Sequence, residues 1–106
     1  MTKRPKRARS ARREGDRDVV KLRTAIVRAY AGEAGGSVGR PIELTSAAQV
    51  EPDAESRACP YCTGNLWAQG HDVVEHDGQR LRVARLVCRS CHARWDRFYR
   101  LGPVLN

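Results

Sequence analysis

A chain of 106 residues, 41% apolar and 30% charged, has material for one modest core with solvated appendages. That excludes the large cleft on which most enzymes are built. Twenty basic side chains stand against twelve acidic ones, a net charge of +8, and seventeen of the twenty are arginine, whose guanidinium forks onto phosphate or carboxylate, so polyanions are the natural partners.

The charge is divided unevenly. Residues 1–28 hold eleven basic and three acidic side chains, residues 29–58 two and five, and residues 59–106 seven and four. In chain order this reads as a basic arm, a mildly acidic linker and a basic module. The start MTKRPKRARSARR is followed by no apolar run of the signal-peptide kind. No segment approaches the roughly 18 apolar residues of a spanning helix. The expectation is a cytoplasmic protein with no membrane partner.

Residues 1–15 carry almost no apolar side chain and cannot offset the entropy of ordering, so they read as a disordered basic arm. Arg4, Lys6, Arg7, Arg9, Arg12 and Arg13 are its candidate nucleic-acid contacts. From Asp16, a candidate N-cap, the spacing of Val19, Leu22, Ile26 and Tyr30 predicts an amphipathic helix ending near Ala31, within a unit spanning 16–34. Arg17, Lys21, Arg23 and Arg28 lie on its other face, which leaves the apolar stripe as a candidate docking surface for the following module or for another chain. Gly32, Gly35, Gly36 and Gly39 end the helix, and residues 35–57, punctuated by Pro41 and Pro52, read as linker. Within it Ser46 and Gln49 have capping-box spacing, for a single turn that Pro52 limits.

The chemistry-bearing signal lies in residues 58–106. CPYCTGNL and LVCRSCHARW supply two C-x-x-C pairs, Cys59 with Cys62 and Cys88 with Cys91. Each pair folds as a knuckle that aims two sulfurs at one point, and two knuckles complete a tetrahedral shell for one structural Zn²⁺. In a reducing compartment such pairs point to metal and not to disulfides. Pro60 presets the first turn, and Gly64 is placed where a knuckle often closes with positive φ. A shell filled by four thiolates leaves no position for water or substrate, and His71, His76 and His92 read as ordinary polar residues. Arg89 and His92 offset the charge of the thiolates.

Asp77-Gly78 between two strand-like runs predicts a hairpin with a type I′ turn, with Glu75 opposite Arg80 and Val74 opposite Leu81. After Cys91, the alternation of Trp95, Arg97, Tyr99 and Leu101 with Arg94, Asp96, Phe98 and Arg100 predicts a third strand. Trp67 and Trp95 read as core, while Phe98 and Tyr99 are divided between core and surface. Roughly forty-five residues bury too little to fold unaided, so metal binding supplies the deficit.

CPYC-x-G-x-L opening a hairpin, LVC-x-x-C closing it and an aromatic at Trp95 together resemble the zinc-ribbon (zinc β-ribbon) superfamily of the four-cysteine type. The resemblance covers residues 59–101. It implies a C-terminal three-stranded antiparallel zinc ribbon and says nothing of the helix or the arm. With those two, read from spacing and composition, the expected fold is a small α+β protein in which one amphipathic helix and a disordered basic arm precede the ribbon. Similar CPxCG-type knuckles hold iron in rubredoxins, which are acidic, whereas this chain is basic. Zinc ribbons occur in transcription factors, RNA polymerase subunits, ribosomal proteins and phage or mobile-element proteins.

Arg80, Arg82, Arg85, Arg94, Arg97 and Arg100 crowd the second half of the ribbon and, with the arm, predict binding of DNA, RNA or a nucleoprotein complex. The alternative is a protein–protein interaction module that uses the helix and the ribbon edge. Catalysis has no support: there is no Ser/His/Asp set, no phosphate-binding glycine loop and no open metal position.

Overall fold

Helix α1 spans Ala8–Ala31, eight residues longer at its start than the spacing of apolar side chains predicts. Ala8, Arg9, Ala11, Arg12 and Arg13 are strong helix formers, and charge alone does not disfavour a helix that solvent bathes on all sides. The computed structural model describes residues 8–102, and side chains from residue 11. The expected disordered arm is therefore corrected to helix over 8–15, while residues 1–7 of it lie outside the described residues.

Every residue from 11 to 25 of α1 is exposed; Ile26 is half-buried and Tyr30 is buried. Only the last turns of the helix thus reach the core. The chain then doubles back so tightly that a Cβ on Gly36 would lie 1.8 Å from the Tyr30 carbonyl oxygen. Gly35, with φ 77°, completes the reversal in a conformation that β-carbons disfavour.

The stretch expected to be linker is structured. Strand β1 (Ile42–Leu44), a 3-10 turn (Ala47–Gln49) and helix α2 (Val50–Glu55) follow one another. The capping box forms as its spacing predicts: Ser46 Oγ accepts from Ala48 N at 3.2 Å, and Gln49 Oε1 accepts from Ser46 N at 3.2 Å. Pro52 does not stop the helix, because it sits in the first turn of α2, where no intrahelical partner awaits its missing N–H. Val50 and Ala54, four residues apart, then share a face and are fully buried.

Strands β2 (Leu66–His76), β3 (Gln79–Cys88) and β4 (Arg94–Leu101) are antiparallel, and β1 adds in parallel to the outer side of β4, giving the order β1-β4-β3-β2. The expected three-stranded antiparallel ribbon is thus corrected to a four-stranded mixed sheet in a small α+β fold. The hairpin has the expected register, Glu75 opposite Arg80 and Val74 opposite Leu81, with positive φ at both Asp77 (50°) and Gly78 (74°), as a type I′ turn requires. Between Ala68 and His71 the β2–β3 register shifts around Gly70, φ 98°.

One sheet face carries Leu66, Ala84, Leu86, Cys88, Trp95 and Tyr99 against Val50 and Ala54 of α2 and Tyr30 of α1, and this is the main core. Leu81 and Val83 alternate to the other face and are buried there too. The outer edge of β4 is covered from Asp96 to Leu101. The Tyr30 hydroxyl donates to the Asp96 carbonyl, Phe98 N donates to Gly35 O at 2.8 Å, and β1 pairs with Tyr99, Arg100 and Leu101. Few backbone groups remain there for an unrelated strand to pair with.

Candidate metal centre

The first knuckle runs from Cys59 to Gly64 at the entrance to β2. Cys59 N donates to Gly64 O at 2.9 Å and Thr63 N to Cys59 O at 2.8 Å, closing the turn. The second runs from Cys88 to Ala93 between β3 and β4 and repeats the pattern, with His92 N donating to Cys88 O at 3.0 Å and Cys88 N to Ala93 O at 2.9 Å. Positive φ falls on Thr63 (60°) and His92 (62°), equivalent positions in the two turns, and not on Gly64. Gly64 serves a different need: a Cβ there would meet Ser90 Oγ at 2.7 Å and Cys62 Sγ at 3.1 Å. Its hydrogen is what allows the two knuckles to approach.

The four sulfurs of Cys59, Cys62, Cys88 and Cys91 lie within 4.8 Å of one another, with Cys59 and Cys88 buried and Cys62 and Cys91 exposed. Cys59 Sγ is 3.7 Å from Cys91 Sγ, and Cys62 Sγ is 3.4 Å from Cys88 Sγ. A disulfide requires about 2.05 Å. Four thiolates around a tetrahedral ion at about 2.3 Å stand about 3.8 Å apart. Both of these pairs cross between knuckles, as a shared ion requires.

Backbone amides point into the cluster. Gly64 N donates to Cys62 Sγ at 3.4 Å, while Ser90 N and Cys91 N donate to Cys88 Sγ at 3.4 and 3.5 Å. The Cys91 amide, with that of Ser90 and the neighbouring thiols, outweighs desolvation and draws the Cys88 thiol down to about 6. At Cys62 the Gly64 amide also pulls downward, but the Cys88 thiol, desolvation, Cys91 and Cys59 together push the group up to about 12. The amides favour the thiolate form at Cys88, while crowding by the other sulfurs disfavours it at Cys62, a crowding that a bound cation would relieve. The donor set and its geometry fit one metal ion with an affinity for thiolates. All four ligands were legible from spacing alone. Arg89, expected to act on the thiolates, lays its guanidinium over the Trp67 ring at 5.7 Å from the centroid.

The arginines expected to form one nucleic-acid surface do not share a fate. Arg97 is 2% exposed, donates to Ala34 O at 2.7 Å and lies over the Tyr30 ring, so it is withdrawn from any phosphate. Arg82 turns to the α2 side, where its Nη1 lies 3.3 Å from His71 Nε2, whose Nδ1 lies 3.3 Å from Glu51. Arg85 bridges Asp72 and Asp96, at 3.4 and 2.7 Å, and Arg100 pairs with Glu43. Arg80 and Arg94 are exposed and make no ion pair among the described residues, and so are Arg12 and Arg13 on α1. Arg4, Lys6 and Arg7, and the side chain of Arg9, lie outside the described residues.

The stripe Val19, Leu22, Ile26, Tyr30 divides similarly. Tyr30 and Ile26 pack against the core, whereas Val19 is 51% and Leu22 63% exposed. Trp95 is buried as expected, between Tyr30 and Tyr61 at 4.8 and 4.7 Å, but Trp67 is 46% exposed and is no part of the core. Among the described residues no helix is long and apolar enough to cross a membrane. No family model, curated protein or solved structure matches this chain.

Proposed function

We propose that this is a zinc-ribbon-like protein whose four-cysteine centre holds one structural Zn²⁺ and whose basic helix binds nucleic acid, alone or within a nucleoprotein machine. Zinc is the ion best suited to a closed tetrahedral shell of thiolates, and the basic composition speaks against an electron carrier of the rubredoxin kind. A shell without an open position orders the chain and does no chemistry of its own, so the protein acts by binding and not by catalysis.

The observation that carries the nucleic-acid reading is α1. It presents Arg12, Arg13, Arg17, Lys21, Arg23 and Arg28 on a rod exposed from residue 11 to 25, and none of the six forms an ion pair among the described residues. Phosphates displace condensed counterions from such a rod, which makes the affinity strongly dependent on salt. A salt titration of the zinc-loaded protein against duplex and single-stranded probes tests this. The expected log–log slope is steep, and it is shallower by about one for each α1 cation replaced by glutamine. Binding that ignores salt, or none at physiological salt, removes the reading.

A second reading is favoured by the exposure of Val19, Val20 and Leu22, at 51, 62 and 63%. An apolar stripe of this kind suits docking on a protein subunit of the same machine. A partner retained after nuclease treatment and lost on Leu22→Asp favours it over direct nucleic-acid binding.

A further inference from the structure

Three shallow grooves merge beside the second knuckle. One is lined by Trp67, Val87, Arg89 and His92, a second by Val87, Arg94, Phe98 and Tyr61, and a third by Tyr61, Arg23, His92 and Arg94. Val87 lines the first and second, His92 the first and third, and Tyr61 and Arg94 the second and third, so they form one continuous surface. Register explains the alignment: Trp67 pairs with Val87 and Val87 with Arg94, so the three side chains make one row across β2, β3 and β4, on the face opposite α2. Beyond the row, Tyr61 carries the guanidinium of Arg23 at 5.5 Å from its centroid, just as Trp67 carries that of Arg89 at 5.7 Å.

Arg23, Arg89 and Arg94 are exposed and make no ion pair among the described residues, and the one carboxylate in the grooves, Asp96, is held by Arg85 at 2.7 Å. An indole 46% exposed, beside a buried Leu66 on the other face of its strand, is not needed by the core. What this surface offers is two rings, each with a guanidinium over it that no carboxylate holds, and Arg94 between them.

We infer that this row is a track for single-stranded nucleic acid, with Trp67 as the platform for one base and Arg89, Arg94 and Arg23 as contacts for successive phosphates. The inference rests on the nucleic-acid reading above and narrows it to unpaired strands. A base in a duplex has both faces covered by its neighbours, so only an unpaired base can stack on the indole. Stacking accepts any base, and the track therefore has little sequence preference.

The test uses the full zinc-loaded chain with labelled oligo(dT) and oligo(U) of about fifteen nucleotides and a hairpin duplex of the same charge. Trp67→Ala is expected to weaken binding of either single strand about ten-fold or more and to change duplex binding by less than about two-fold. Trp67→Phe is expected to restore most of the loss and Trp67→Leu is not, because leucine returns bulk without a flat ring. Arg94→Gln should weaken single-strand binding and flatten its salt slope by about one. Wild-type emission should be quenched by oligo(dT) and by oligo(U), and the quenching lost in Trp67→Phe, where only the buried Trp95 remains. The tighter of the two strands then identifies the natural one, and either supports the track. If Trp67→Ala binds single strands as wild type does, while wild-type binding is steeply salt-dependent, the track is overturned and the helix-based reading stands. If the wild type binds none of the probes, both fall.

Discussion

Gly36 and Gly64 both leave no room for a Cβ, and substitutions there fail in different ways. At Gly36 a Cβ would sit 1.8 Å from backbone, the Tyr30 carbonyl oxygen, which no side-chain rotation relieves. Gly36→Ala is expected to destabilise the fold by about 2–4 kcal/mol, read as a shift in the denaturant midpoint of the metal-loaded protein. At Gly64 the nearest atoms are Ser90 Oγ and Cys62 Sγ, so alanine presses on a ligand. Gly64→Ala should lower metal affinity about ten-fold, measured by competition with a chelating dye, while a wild-type affinity would show that the knuckles have slack. The sequence pointed to Gly64 but for the wrong reason: the positive φ falls on Thr63, a conformation that a C-x-x-C spacing does not assign to one residue. The ligands themselves were fully legible, because two C-x-x-C pairs are the spacing by which two knuckles bring four sulfurs to one point.

Among the elements, the hairpin was legible because a two-residue Asp-Gly turn fixes the register of everything that follows it. Strand β1 was not, since three residues cannot display a period, and α2 was hidden by a proline that breaks helices elsewhere but not in a first turn. The arginines show the same limit: Arg85 and Arg100 are occupied by Asp96 and Glu43, partners set by tertiary pairing and not by neighbours in sequence. What joins α2 to the sheet is Tyr99, fully buried, whose hydroxyl donates to Asp53 Oδ2 at 2.7 Å, the same oxygen that Arg57 holds at 3.1 Å. Desolvation, with the Asp53 bond and charge, raises the Tyr99 phenol above its ordinary range. The folded state then keeps the proton more tightly than the unfolded chain does, so this contribution is whole below about pH 10 and is lost as pH rises beyond it. Tyr99→Phe is expected to cost about 1 kcal/mol at neutral pH and to flatten the alkaline decline, as followed by denaturant titrations at several pH values. An alkaline limb of unchanged slope would mean that other groups govern it, Tyr30 among them, since its phenol is also raised by burial.

At the scale of the whole molecule, one buried side chain links the metal centre to the last turn of the basic helix. Trp95 is 6% exposed between Tyr61, which belongs to the first knuckle, and Tyr30, which ends α1. Tyr30 in turn carries Arg97 over its ring and closes the edge of β4 at Asp96. Removing a bound ion is expected to free the knuckles, and with them the turn that holds Tyr61 against Trp95. The indole is then exposed, and the sheet, too small to persist on its own burial, loses its order. Helix α1 depends on this contact only in its last turns, and a helix of this length is marginal alone, so chelation is expected to abolish the sheet and leave partial helicity. In a Trp67→Phe background, emission reports Trp95 alone. Chelation should shift it to the red together with loss of near-ultraviolet dichroism, and added Zn²⁺ should restore both. Acid should do the same, because protons compete with the ion for thiolates, so metal affinity falls as pH falls. If Trp95 stays buried in the metal-free protein, the fold stands without its ion, and the four-cysteine cluster would need a purpose other than holding the helix to the sheet.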